Sequence, residues 1–129
     1  MTSTARLVLL GALIVLTFDA VGATASRVLG FPYASLTIVS FAIFGTVCFY
    51  IGRRGGILPA VLGGAVLGLI DATLGWAIDW AIGPVGVPKG VPSLGRVLGT
   101  IVFVVVLTAL LGLVGGVLGW SLRGRGVDA

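Results

Sequence analysis

Three aspartates, Asp19, Asp71 and Asp79, interrupt apolar runs of this chain, and their chemistry calls for an explanation. A carboxylate held in hydrocarbon costs roughly 3 kcal/mol on membrane-insertion scales, so such a residue marks a partner, a pathway or a packing device. Asp19 sits in Leu10-Gly-Ala-Leu-Ile-Val-Leu-Thr-Phe-Asp-Ala20, and the pattern returns as Leu62-Gly-Gly-Ala-Val-Leu-Gly-Leu-Ile-Asp-Ala72 with Leu, Gly, Asp and Ala in register. At 1.5 Å of rise per residue, Asp19 and Asp71 fall at similar depth, roughly 20 Å from the start of their runs. If the two runs face each other, the carboxyls meet, and a shared proton or a bound cation relieves the repulsion. The plainer role is a clamp, each acid bonded to a Ser, a Thr or a backbone carbonyl of a neighbouring helix. Asp79 lies near the outer end of its run, where Arg27, Lys89 and Arg96 also gather, which suggests an interfacial ion pair. Its alternative role is a polar step that draws a cation toward Asp71.

The elements that must position these acids are set by composition. With 58% hydrophobic and 9% charged residues, the chain is far from a soluble domain, where about a quarter of residues are charged. An all-α integral membrane protein of four spans in a single unit is expected, with the lipid bilayer as its solvent. The spans are read at about 7–26, 33–52, 58–82 and 94–122. The opening imitates a secretory signal, with Arg6, an apolar run from Leu7 to Phe18 and Ala23-Thr24-Ala25. Its recurrence at Leu62 to Ala72 favours a first span instead. Phe31-Pro32 breaks the chain before span two, Arg53-Arg54-Gly55-Gly56 forms a tight basic turn, and the Pro- and Gly-rich segment 83–92 is the one substantial loop. Phe31, Tyr33 and Trp80 fit an outer aromatic belt and Phe49, Tyr50 and Trp120 an inner one.

Arg6, Arg53, Arg54, Arg123 and Arg125 fall on one side of the membrane, against Arg27, Lys89 and Arg96 on the other, which places both termini in the cytoplasm and suits a bacterial cytoplasmic membrane. Spans one and three then run the same way, and the internal repeat, about 7–54 and 58–125, becomes two parallel-repeat hairpins. On span three, Gly64, Gly68, Asp71, Gly75 and Asp79 share a stripe about 80° wide at 100° per residue, so both acids lie on the small-residue face. Span four carries a similar stripe of Gly112, Gly115, Gly116 and Gly119, and span two offers Gly45, Cys48 and Gly52. Such faces let helices approach closely within the chain, in a homo-oligomer or in a larger membrane complex.

The chain has no His and no Glu, which removes imidazole metal ligation and the commonest general bases. A single cysteine, Cys48, forms neither an internal disulfide nor a thiolate metal site. No cofactor is expected, and the scattered basic residues give no nucleic-acid footprint. No family resemblance follows either. Small multidrug transporters centre on a first-span glutamate, fluoride channels on Asn and Thr-Thr-Phe-Ser motifs, and Gly68-Leu69-Ile70-Asp71 lacks the second glycine of the intramembrane aspartyl proteases. The function expected first is a non-enzymatic packing or assembly subunit working through its glycine faces. The alternative is a small proton-coupled or cation-conducting transporter using the paired aspartates.

Overall fold

The computed structural model of the chain describes residues 1–124; Arg125 and the rest of the tail, with Asp128, lie outside the described residues. Four helical runs, Ser3–Leu29, Tyr33–Gly55, Ile57–Ile82 and Leu94–Ser121, are each long and apolar enough to cross a membrane. The molecule is an all-helical membrane bundle, with no strand among the described residues.

Local chemistry sets the ends of these elements. Helix α1, Ser3–Leu29, begins four residues before the expected boundary because the Thr2 hydroxyl accepts from the Ala5 N–H at 3.2 Å and caps the first turn. It ends at Gly30, whose φ of 77° terminates the helix in the left-handed region. Helix α2, Thr37–Gly55, follows one 3₁₀ turn, Tyr33–Leu36, that starts directly after Pro32. Gly56, at φ 95°, is the whole connection to α3, Ile57–Ile70, a turn that a side chain would strain. The third span does not continue as a regular helix. Asp71–Gly75 forms a π-helical turn, in which the Trp76 N–H reaches back to the Asp71 carbonyl, and α4, Trp76–Ile82, completes the crossing. Helix α5, Leu94–Ser121, starts where the Ser93 hydroxyl accepts from the Arg96 N–H.

Helix α5 is a wedge between α2 and α3, and its glycines make the fit. A Cβ on Gly112 would lie 2.5 Å from the Ala60 carbonyl oxygen, and one on Gly116 would lie 2.8 Å from the Ala60 Cβ. One step round the helix, a Cβ on Gly115 would stand 3.0 Å from the Gly45 carbonyl oxygen, and one on Gly119 would run into the Phe49 carbonyl. The row 112/116 therefore faces α3 and the row 115/119 faces α2, the i, i+4 spacing that puts residues on one helical face. Gly116 lies at the junction of the two rows, since Gly52 of α2 also meets its backbone, and Gly64 of α3 meets Thr108. Where lipid is as apolar as leucine, this backbone-to-backbone contact supplies the van der Waals attraction that holds spans together. Helix α1 completes the bundle through a small core of Ala12 and Val15 against Phe44 and Leu67. At the opposite end of α5, Gly95 and Gly99 meet nothing within 4 Å. The bundle is tight around Gly112–Gly119 and looser toward the loop end.

Gly116→Leu should therefore destabilise the bundle by about 1–3 kcal/mol or more through overpacking. Gly99→Leu should lie within about 0.5 kcal/mol of the parent or be slightly stabilising. Unfolding in mixed micelles with increasing SDS reads both.

Candidate functional site

Asp19 belongs to the inward stripe of α1, in the same row as Ala12, Val15, Ala23 and Ser26, and it is only 4% exposed. Asp71 opens the π turn and Asp79 sits one helical turn past its end, both partly buried. π turns of this kind recur at functional sites because the inserted residue swells the helix and redirects its side chains. Here the next residue on the same face is Gly75, and its missing side chain is occupied by carboxyl oxygens. A Cβ at Gly75 would lie 2.6 Å from Asp19 Oδ2 and 3.0 Å from Asp71 Oδ1. The two carboxyl groups thus converge on one point, inside the ~6 Å at which like charges oppose each other. Gly64 and Gly68 serve a different purpose on the same helix face, since their neighbours are the backbone and hydroxyl of Thr108 on α5.

The outer part of the site is built by the chain break. Tyr33, just past Pro32, turns its hydroxyl inward and donates to Asp19 Oδ1 at 3.1 Å, with Asp79 also in reach. Its hydroxyl is committed to the acids, a role beyond the aromatic belt. Asp19 Oδ2 and Asp79 Oδ1 are both buried with no hydrogen-bond partner. The cations expected to pair with Asp79 are engaged elsewhere or turned away. Arg27 Nη1 donates to the Ile82 carbonyl at 2.7 Å, where it stabilises the end of α4, while Lys89 and Arg96 line a separate cavity beside Trp76. The interfacial ion pair is thus replaced by a helix-end contact, the Arg27 guanidinium of α1 on the carbonyl of Ile82, the last residue of α4 before the αL residue Gly83. Ser26, fully buried, locks this end: its hydroxyl donates to the Phe31 carbonyl at 2.7 Å and accepts from the Val85 N–H at 3.1 Å. Arg53, Arg54 and Arg123 are exposed at the far end of the bundle, away from the acids.

Asp19, Asp71 and Asp79 line one cavity of about 240 Å³ between α2 and α5. Among the described residues no lysine or arginine lines it. Ionised carboxylates accept hydrogen bonds and donate none, so Asp19 Oδ2 and Asp71 Oδ1 cannot bond each other without a proton between them. At an effective dielectric near 20, two unit charges about 5 Å apart repel by roughly 3 kcal/mol, several times the net worth of one neutral hydrogen bond. A proton or a cation placed over Gly75 answers both the repulsion and the unpartnered oxygen. Among the described residues no three Asp, Glu, His or Cys side chains come together in a metal-binding arrangement, so a multivalent ion has no ready ligand set.

The sequence pattern pointed to the three acids and missed Tyr33 and the aromatic walls of the cavity. Their only signal was position: a tyrosine directly after the proline break, and phenylalanines facing the same half of the bilayer as the acids. Comparison with family models, with characterised proteins and with solved structures finds no match to this chain.

Tyr33→Phe removes the donor from Asp19 Oδ1 and should destabilise the bundle by about 1–3 kcal/mol, the cost of a buried polar atom left bare. Tyr50→Phe, on a half-exposed face far along α2, should change stability by less than about 0.5 kcal/mol. The same SDS unfolding series reads both.

Proposed function

We propose that this protein is a small, non-enzymatic membrane transporter that carries a proton or a cation on the Asp19–Asp71 pair. The observation that supports the reading is the convergence of two carboxyls over Gly75 at the edge of a cavity, with one Asp19 oxygen buried and bare. A packing clamp would close on its acids and leave no space; these acids border about 240 Å³. Asp71 is the carrier in this reading, Asp19 sets its affinity by proximity, and Asp79 with Tyr33 forms the outer step. The chain sits in a cytoplasmic membrane as two hairpins related by the repeat, with both termini inside and the loop 83–93 outside, as the arginine distribution favours.

An assembly role rested on the glycine faces, and those of α5 are filled from within the chain by α2 and α3. Self-association or docking into a larger complex would instead use lipid-facing residues such as Leu13, Leu62 and Val66.

Purified protein in vesicles tests the transport reading, under an imposed proton gradient read by an internal pH-sensitive dye and an imposed sodium gradient read by an internal sodium-sensitive dye. Asp71→Asn and Asp19→Asn should each slow the flux by at least about tenfold, and Asp79→Asn by less. Flux that the double Asp19→Asn/Asp71→Asn change leaves intact would end it.

A further inference from the structure

We propose that the cavity between α2 and α5, with Asp19, Asp71 and Asp79 at its base and Tyr33, Phe41 and Phe103 on its walls, binds a small lipophilic organic cation that enters from the bilayer. The proposal rests on the transport reading above and names the class of its cargo. Four features of the cavity carry it.

The first is an unmet demand for positive charge. Asp19 is buried to 4% exposure, one of its oxygens has no partner, and it lines the cavity among two further acids. A buried polar atom without a partner is rare in folded proteins and asks for a ligand, a proton or water. The second is size. The cavity, at about 240 Å³, is larger than the ~150 Å³ engineered cavity that accepts benzene, so it has room for a ring with an attached ammonium group. A proton or a bare alkali ion needs none of that space.

The third is the character of the walls. Inorganic cations shed water only where rings of carbonyl or carboxylate oxygens replace it. Here the surfaces beyond the acids are Phe41, Phe44, Phe103, Val104 and Leu107, with four hydroxyls among them. Those of Tyr33, Ser40 and Thr108 already donate to Asp19 and to backbone carbonyls, and Thr37 completes the lining. Aromatic faces attract an organic ammonium by cation–π interaction while the aliphatic walls cover its apolar part. The fourth is access. Phe41 and Phe103 are 38% and 67% exposed on the lipid-facing surface of their helices, so the rim of the cavity meets acyl chains. A hydrated ion does not arrive by that route. An aryl- or alkylammonium, which partitions into the bilayer, does. A phospholipid headgroup is disfavoured, because its phosphate would enter against three carboxyls.

Calorimetric titration of the full chain in lipid nanodiscs with phenyltrimethylammonium, alongside its neutral isostere tert-butylbenzene, tests the proposal. The expected result is saturable binding of the cation, one per chain, weakened at least about tenfold by Asp71→Asn and by Asp19→Asn. The isostere should show only unsaturable partitioning. Phe103→Leu keeps apolar bulk at an exposed position and should weaken the cation about three- to tenfold, which keeps the test informative if an aspartate variant misfolds. No saturable binding by the parent chain, equal binding by the Asn variants, or equal binding of the isostere would overturn the proposal. Proton or sodium flux without phenyltrimethylammonium binding would refute the organic cargo and leave the transport reading standing; binding without any flux would do the reverse.

Discussion

A carboxyl group in the middle of a bilayer has no water to bond, and everything distinctive about this bundle follows from holding two of them together there. Hydrocarbon offers no dipoles, so the protein must supply each partner. For Asp19 it supplies one donor, the Tyr33 hydroxyl, and leaves the second oxygen bare against Asp71. A structure optimised for stability alone would not keep that arrangement, since an apolar residue in place of either acid removes both the desolvation and the repulsion. On the transport reading, a positive charge that visits the pair offsets that cost. The glycine at position 75 is part of the same device, because any side chain there would fill the point on which the two carboxyls converge.

The rest of the bundle leaves a cavity beside the pair. Helix α5 is zipped to its neighbours around Gly112–Gly119, where backbone touches backbone and no space remains. Toward its start it carries Phe103 and Val102 on the surface, and its glycines at 95 and 99 have open surroundings. The helices touch at one end and stand apart at the other, and the acids lie just beyond the point where the close contacts end. Ser26 and Arg27 tie the loop end of α1 to the Phe31 segment, Val85 and the last turn of α4, so the open half keeps its shape. The π turn at Asp71–Gly75 falls at the boundary between the two halves.

Much of this was legible in the chain. Hydropathy located the spans, and the caps and left-handed glycines moved their ends by only a few residues. The 3.6-residue period put Asp71 and Asp79 on the small-residue face of span three, and that face does turn inward. Three things were not legible, each for a physical reason. A π turn has no sequence signature distinct from an α-helix, and the register from Asp71 to Asp79 assumes a regular helix. The hydroxyl of Tyr33 is a tertiary contact across the Pro32 break, and an interfacial tyrosine can point either way. The expected pairing of Asp79 with Arg27, Lys89 or Arg96 followed from shared depth at the outer ends of the spans; the carbonyl of Ile82, left free where α4 ends, accepts from Arg27 instead. The recurrence around Asp19 and Asp71 picked out two acids whose carboxyls converge over Gly75, although the first copy lies in an unbroken α-helix and the second opens a π turn.

The central claim is that Asp19 and Asp71 act as one unit around a shared positive charge. A double-mutant cycle tests it most directly: SDS unfolding of the parent, Asp19→Asn, Asp71→Asn and the double variant, all in the same mixed micelles. The account predicts a coupling energy above about 1 kcal/mol, with the double change differing from the sum of the single changes. Additive effects, within about 0.3 kcal/mol, would mean that the two carboxyls do not sense each other and would contradict it.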